Sequence, residues 1–126
     1  MKGQLSLEFL ILFASMLFIY LAVLNVLAPQ FNNAKLSFNA LIINSITEQV
    51  AWKSNQVYLL NEGSRLFSNI SAPFEFKLIS SDGSIFSNVT NVSFSSKAED
   101  TNLVIGRGVN ELVFEKISDS VIIYSK

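Results

Sequence analysis

The chain has no cysteine and no histidine in its 126 residues. Without cysteine there is no disulfide framework, no thiolate nucleophile and no cysteine zinc site, and cysteine usage is silent on redox compartment. Without histidine the commonest acid–base group and the commonest metal ligand are both missing. Charge is scarce too. Nine Lys and Arg against ten Asp and Glu leave a net charge of −1, which provides no field to draw in nucleic acid or an anionic surface. The nearest approach to a phosphate loop, Gly106-Arg107-Gly108, is followed by neither Lys-Ser/Thr nor a helix and reads as a turn. The acids Asp82, Glu99, Asp100 and Asp119 lack the alternating spacing of a calcium loop and read as solvated charges. Serine is abundant, but without histidine a serine nucleophile needs a lysine base, and no S-x-x-K occurs. No enzyme activity, cofactor, metal or small-molecule substrate is expected.

What the chain does have is a long hydrophobic run. From Phe9 to Ala28 no charged residue occurs, and as a helix this stretch reaches about 30 Å, the thickness of a bilayer's hydrocarbon layer. It holds fifteen large apolar side chains up to Leu27. At roughly 1.5 to 3 kcal/mol each, leaving them in water costs on the order of 25 to 45 kcal/mol. A secretory signal is a poor match, because the run is too long and a cut after Val26-Leu27-Ala28 puts Pro29 at the scissile bond. A plain single-pass anchor carrying an outer binding or sensor domain fits the length. Its orientation is barely specified by Lys2 before the span and Lys35 after it.

Neither reading accounts for the polar residues set against the start of the span: Gln4, Ser6 and Glu8, directly after Lys2-Gly3. An ionisable group entering a membrane segment calls for a partner. The helix amino end is one candidate for Glu8. A cut after Gly3 supplies another, an ammonium on Gln4 with a reference pKa of about 7.7 to 8.0, free to meet the Glu8 of a neighbouring copy. With Leu12, these residues resemble the class III signal peptide of archaeal type IV pilins and pilin-like proteins, Q-x-S-x-E-x-x-x-L, and every fixed position is present over roughly the first 28 residues. The resemblance implies cleavage of the Gly3–Gln4 bond by a prepilin peptidase at the inner face of the membrane. It also implies retention of the apolar helix as a filament core, with Glu8 matched to a neighbour's new amine. The partners it implies are other copies of the chain, the peptidase, the pilus assembly machinery, and the membrane before assembly. The product is a homopolymeric adhesion filament on the cell surface, whose precursor sits with its amino terminus in the cytoplasm and its tail outside.

Beyond the span, Pro29 has no amide for the Asn25 carbonyl, so a kink is expected there without a stop. Phe31, Ala34, Phe38, Leu41, Ile42, Ser45, Ile46, Trp52 and Leu60 fall on one broad helical face, and Asn33, Ser37, Asn44, Glu48, Asn55 and Glu62 on another. This predicts an amphipathic continuation with the first face toward the head, ending at Gly63. Strands are then predicted at Phe74–Leu78, at Ile85–Val89 after an Asp82-Gly83 hairpin, and around Val92 and Phe94, with Lys97–Asp100 a solvated loop. Leu103–Ile105 and Glu111–Ile117 are predicted to form a second hairpin, followed by Val121–Tyr124. The expected fold is α+β: a long amino-terminal helix packed against an antiparallel meander of five or six strands. The expected segments are a leader at 1–3, a membrane or filament-core helix at 4–28, an amphipathic continuation at 29–63 and a β-rich head at 64–126. Asn69, Asn88 and Asn91 each begin a glycosylation acceptor triplet, and about two such triplets arise from composition alone in a chain this rich in Asn and Ser.

Overall fold

A single helix, α1, runs over Lys2–Tyr58 and continues through Pro29. The structure, a computed structural model, describes residues 2–126, with Lys2 by its backbone alone. Met1, the first residue of the expected leader, lies outside the described residues. The chain divides into two compact units, one ending at Phe38 and the other spanning Asn39–Lys126.

The second unit is the head, formed by the last third of α1 and seven strands among the described residues. These are β1 Arg65–Ala72, β2 Phe76–Ser81, β3 Ser84–Ser87, β4 Ser93–Ser95, β5 Thr101–Ile105, β6 Gly108–Ile117 and β7 Ser120–Ser125. All ladders between strands are antiparallel. The fold is therefore α+β, with the helix packed on antiparallel sheets. In place of one meander there are two sheets, of order β1-β6-β7 and β4-β3-β2-β5. The expected hairpin between Leu103–Ile105 and Glu111–Ile117 does not form: β5 pairs with β2, whereas β6 pairs with β1 and β7. Gly106 and Arg107 are a crossover between sheets, closed by the Asn110 side chain, which accepts from Gly106 N at 2.9 Å and donates to Gly106 O at 2.7 Å.

The Asp82-Gly83 turn does form a hairpin. Ser81 pairs with Ser84, and Asp82 and Gly83 take φ of 51° and 74°, the two positive values of a type I′ turn that matches the twist of the flanking strands. A further strand, β1, was not expected. Leu66, Ser68, Ile70 and Ala72 point inward, but Ser68 breaks the apolar alternation and Phe67 points out. Ser68 is accommodated because Lys53 of α1 donates to its hydroxyl. The expected loop at Lys97–Asp100 is also partly structural, since Ala98 is buried and bridges Val121 in parallel.

The core lies between α1 and both sheets. Ile43, Ile46, Val50, Ala51 and Val57 of the helix meet Ile70, Leu112, Phe114 and Ile123 of one sheet and Phe76, Leu78, Ile85 and Ile105 of the other. This corrects the expected inner face. Ile42 and Ile46 do pack inward, but Leu41, Trp52 and Leu60 are exposed. Asn55, expected in solvent, instead donates to Ser95 O at 3.1 Å and accepts from Lys97 N at 2.9 Å. The buried stripe includes Thr47 and Ser54, whose hydroxyls donate to Ile43 O and Ala51 O at 2.7 Å each. A polar residue can sit in a helix core where the preceding turn takes its proton. The helix also ends earlier than expected. Its last turn tightens through Leu59 N to Gln56 O and Leu60 N to Val57 O. Gly63, at φ 84°, donates instead to Lys116 O across the start of the β1–β6 ladder.

The two faces of α1 differ in what they cost to lose. Phe114→Ala, at a fully buried site, is expected to lower head stability by about 3 to 5 kcal/mol. Trp52→Ala, at a position 59% exposed, should change it by under about 1 kcal/mol. Urea unfolding of the detergent-solubilised chain checks both, and comparable losses would contradict the face assignment.

Candidate functional site

The motif residues Gln4, Ser6, Glu8 and Leu12 all lie on the first turns of α1 and are exposed. Gln4, Glu8 and Leu12 recur every four residues and share one face, with Ser6 about halfway round. Gly3, on the amino side of the expected cleavage bond, is also helical. The first four amides of a helix have no intrahelical acceptor and glycine is a weak helix former, so opening this turn costs little. The ion pairs among the described residues are Arg65–Glu115 at 3.0 Å and Lys126–Glu111 at 3.9 Å. Glu8 belongs to neither.

The apolar run behind this motif is bare. Every large apolar side chain from Phe9 to Leu27 is exposed, from 40% at Leu27 to 74% at Phe18. The segment is long and apolar enough to cross a membrane, with a mean hydropathy of 2.5 over its best window and none of that window buried. Besides the exposed Tyr20, it holds two polar residues that each donate within the helix: Ser15 Oγ to Ile11 O at 2.8 Å and Asn25 Nδ2 to Leu21 O at 3.0 Å. That is what an apolar medium demands, since no water is present to take an unpaired donor. An open groove of about 380 Å³ runs between Phe18, Ile19, Ala22, Val23, Val26 and Leu27. Such grooves between side-chain rows receive the ridges of a second helix.

In the head, the three acceptor asparagines are all exposed, Asn69 on β1 and Asn88 and Asn91 between β3 and β4. Asn88 also braces β2, accepting from Lys77 N through Oδ1 at 2.8 Å. The void among Val50, Leu78, Ser80, Ile85, Thr101, Leu103 and Ile123 is about 10 Å³, room for one water at most. No group of three or more Asp or Glu that could hold a metal occurs among the described residues.

The polar residues that do most to organise the head are ones the sequence does not single out. Lys116 of β6 donates to Tyr58 O at 2.6 Å and Leu60 O at 2.8 Å, with its ammonium 5.0 Å from the centre of the Tyr58 ring. It thereby supplies the cation that the last turn of α1 lacks, where unpaired carbonyls gather negative potential. Ser54 and Ser96 join the helix to the segment after β4 by a buried hydroxyl pair at 2.6 Å. Both arrangements link residues more than forty positions apart, and local spacing carries no signal of them.

No protein-family model matches the chain, and no curated protein or solved structure matches it either.

Lys116→Met keeps the stem of the side chain and removes the ammonium. It is expected to destabilise the head by about 1.5 to 3 kcal/mol, the range for hydrogen bonds to a charged group. Chemical unfolding should register the loss, and hydrogen exchange should show the last turn of α1 opening more often. Unchanged protection there would rule out the capping role.

Proposed function

We propose that the protein is a structural subunit of an archaeal type IV pilus-like filament. It is inserted as a membrane precursor, cut by a prepilin peptidase between Gly3 and Gln4, and polymerised through the apolar part of α1. The observation that carries this reading is the combination of the full Gln4, Ser6, Glu8 and Leu12 pattern with a helix whose apolar side chains stay bare. In lipid, and afterwards among copies of the same helix, those side chains are covered, and Ser15 and Asn25 already donate within the helix. Glu8 differs, belonging to no ion pair among the described residues, so a neighbour's Gln4 ammonium is the group that would distinguish assembly from residence in lipid. Lipid tails are as apolar as leucine, so packing and paired polar groups must supply the preference for a filament. The exposed Asn69, Asn88 and Asn91 are proposed as glycan acceptors on its outer surface, and adhesion as the filament's role.

The test begins with mass spectrometry of the mature protein, where a start at Gln4 is expected and a start at Met1 would favour the single-pass anchor. Glu8→Ala should leave membrane insertion intact and reduce filament yield roughly tenfold, the equivalent of one lost interaction of about 1.4 kcal/mol. Electron microscopy with the subunit identified in the filaments reads this out, and abundant normal filaments from the variant would remove Glu8 from assembly.

A further inference from the structure

The outward side of α1 does not become polar where the bilayer-length run ends. Phe31 and Phe38 are 72% and 63% exposed, and Ala34 between them is exposed as well. These three continue a seven-residue repeat. Leu10, Leu17, Leu24, Phe31 and Phe38 stand seven apart, and Phe13, Tyr20, Leu27 and Ala34 stand seven apart three positions on. Inside the span such a repeat is uninformative because nearly every residue is apolar. After Pro29 it becomes specific, since the positions around it are Gln30, Asn32, Asn33, Lys35 and Ser37, with Leu36 the one apolar exception, about halfway round the helix from Phe38.

Lipid accounts for only part of this stripe. From Phe9 to Phe38 the helix is about 45 Å long, against a hydrocarbon layer of about 30 Å. The remainder does not suit a membrane surface, where the polar flank of a helix carries several Lys or Arg, because Lys35 is the one basic residue on it. A repeat of seven keeps a helix's apolar seam facing another helix.

We propose that Phe31, Ala34 and Phe38 form a helix–helix interface with a second copy of this chain, extending the inter-subunit seam beyond the part of α1 that lipid covers. The occupant is a second copy because the seam is continuous in spacing with the segment through which the filament polymerises, and because it offers no charge to select a foreign partner. The inference rests on the filament reading and adds a claim that reading does not contain. On it, the stripe is wetted in the membrane-embedded precursor and covered only on assembly.

The absence of native cysteine makes single-cysteine labelling unambiguous. Phe38→Cys and Leu36→Cys are each treated with a water-soluble maleimide as membrane-embedded precursor and as assembled filament. Leu36 is exposed and lies well round the helix from Phe38. The position-38 variant is expected to label readily in the precursor and at least about tenfold more slowly in filaments, with position 36 changing far less. Equal labelling of position 38 in both states would overturn the interface. Protection of position 38 already in the precursor would assign the stripe to lipid and also overturn it. Equal protection of both positions in filaments would remove its face specificity. Where Phe38→Cys blocks assembly, Ala34→Cys takes its place. In parallel, Phe31→Asn with Phe38→Asn should be cut at Gly3 as usual yet yield at least about tenfold fewer filaments, and normal yield would count against the seam. Filaments that contain the wild-type chain but fail these tests sink this inference alone, whereas a chain absent from filaments altogether sinks the reading beneath it as well.

Discussion

The head depends on one packing constraint: two small sheets, of three and four strands, are held together by the stripe of α1 that lies against them both. Neither sheet closes on itself, and five of the sixteen residues in the buried core belong to the helix. Remove that stripe and the inner faces around Phe114 and Ile85 lose a wall. The helix is thus part of the head's interior and not a stalk attached to it. The polar contacts reinforce the same joint: Lys53 to Ser68, Ser54 to Ser96, Asn55 to the backbone at Ser95 and Lys97, and Lys116 to the carbonyls at the helix end. Each fixes the helix to a strand or loop that apolar packing alone would allow to slide.

Because α1 carries an apolar stripe for the head and a second apolar stripe elsewhere on its surface, periodicity alone misleads. Phe31, Ala34, Phe38, Leu41 and Trp52 form a good helical face, and a reader of the sequence assigns it to the core. The real core face, Ile43, Ile46, Thr47, Val50, Ala51, Ser54 and Val57, looks weaker because two of its members carry hydroxyls. Those hydroxyls are satisfied by the helix's own preceding turn or by Ser96, so their burial costs far less than composition suggests.

The strands divide in the same way between what is local and what is not. The β2–β3 hairpin was legible because Asp82-Gly83 sets its own backbone geometry, whatever the rest of the chain does. Strand β1 was hidden because an inward Ser68 and an outward Phe67 invert the pattern that marks a strand, and the lysine that satisfies Ser68 comes from α1. The pairing of β5 with β2 was illegible for another reason. Neighbours in sequence make the simplest partners, and only the packing of both sheets on one helix selects the longer connection. At the amino terminus the position is reversed. Gln4, Ser6, Glu8 and Leu12 are legible as a pattern, but in a single chain they lie exposed along the helix.

Bare apolar surface limits what an isolated copy of the chain can be. Stability of a domain this size is about 5 to 15 kcal/mol, so a bare run whose exposure to water costs several times as much cannot be held in solution by the head. The medium must supply the cover. Lipid and a bundle of like helices supply it almost equally well, and within the run Ser15 and Asn25 already donate to Ile11 and Leu21. On the filament reading, the choice between the two media then falls to groups that lipid leaves unserved. Those include a carboxylate at Glu8, in no ion pair among the described residues, and at the other end of the run an apolar stripe too long for the bilayer to cover. The two lie about 35 to 45 Å apart along α1, far enough that neither can stand in for the other. Assembly driven by both would be sensitive to the register of the whole helix, and that sensitivity is what an ordered fibre requires of its subunit.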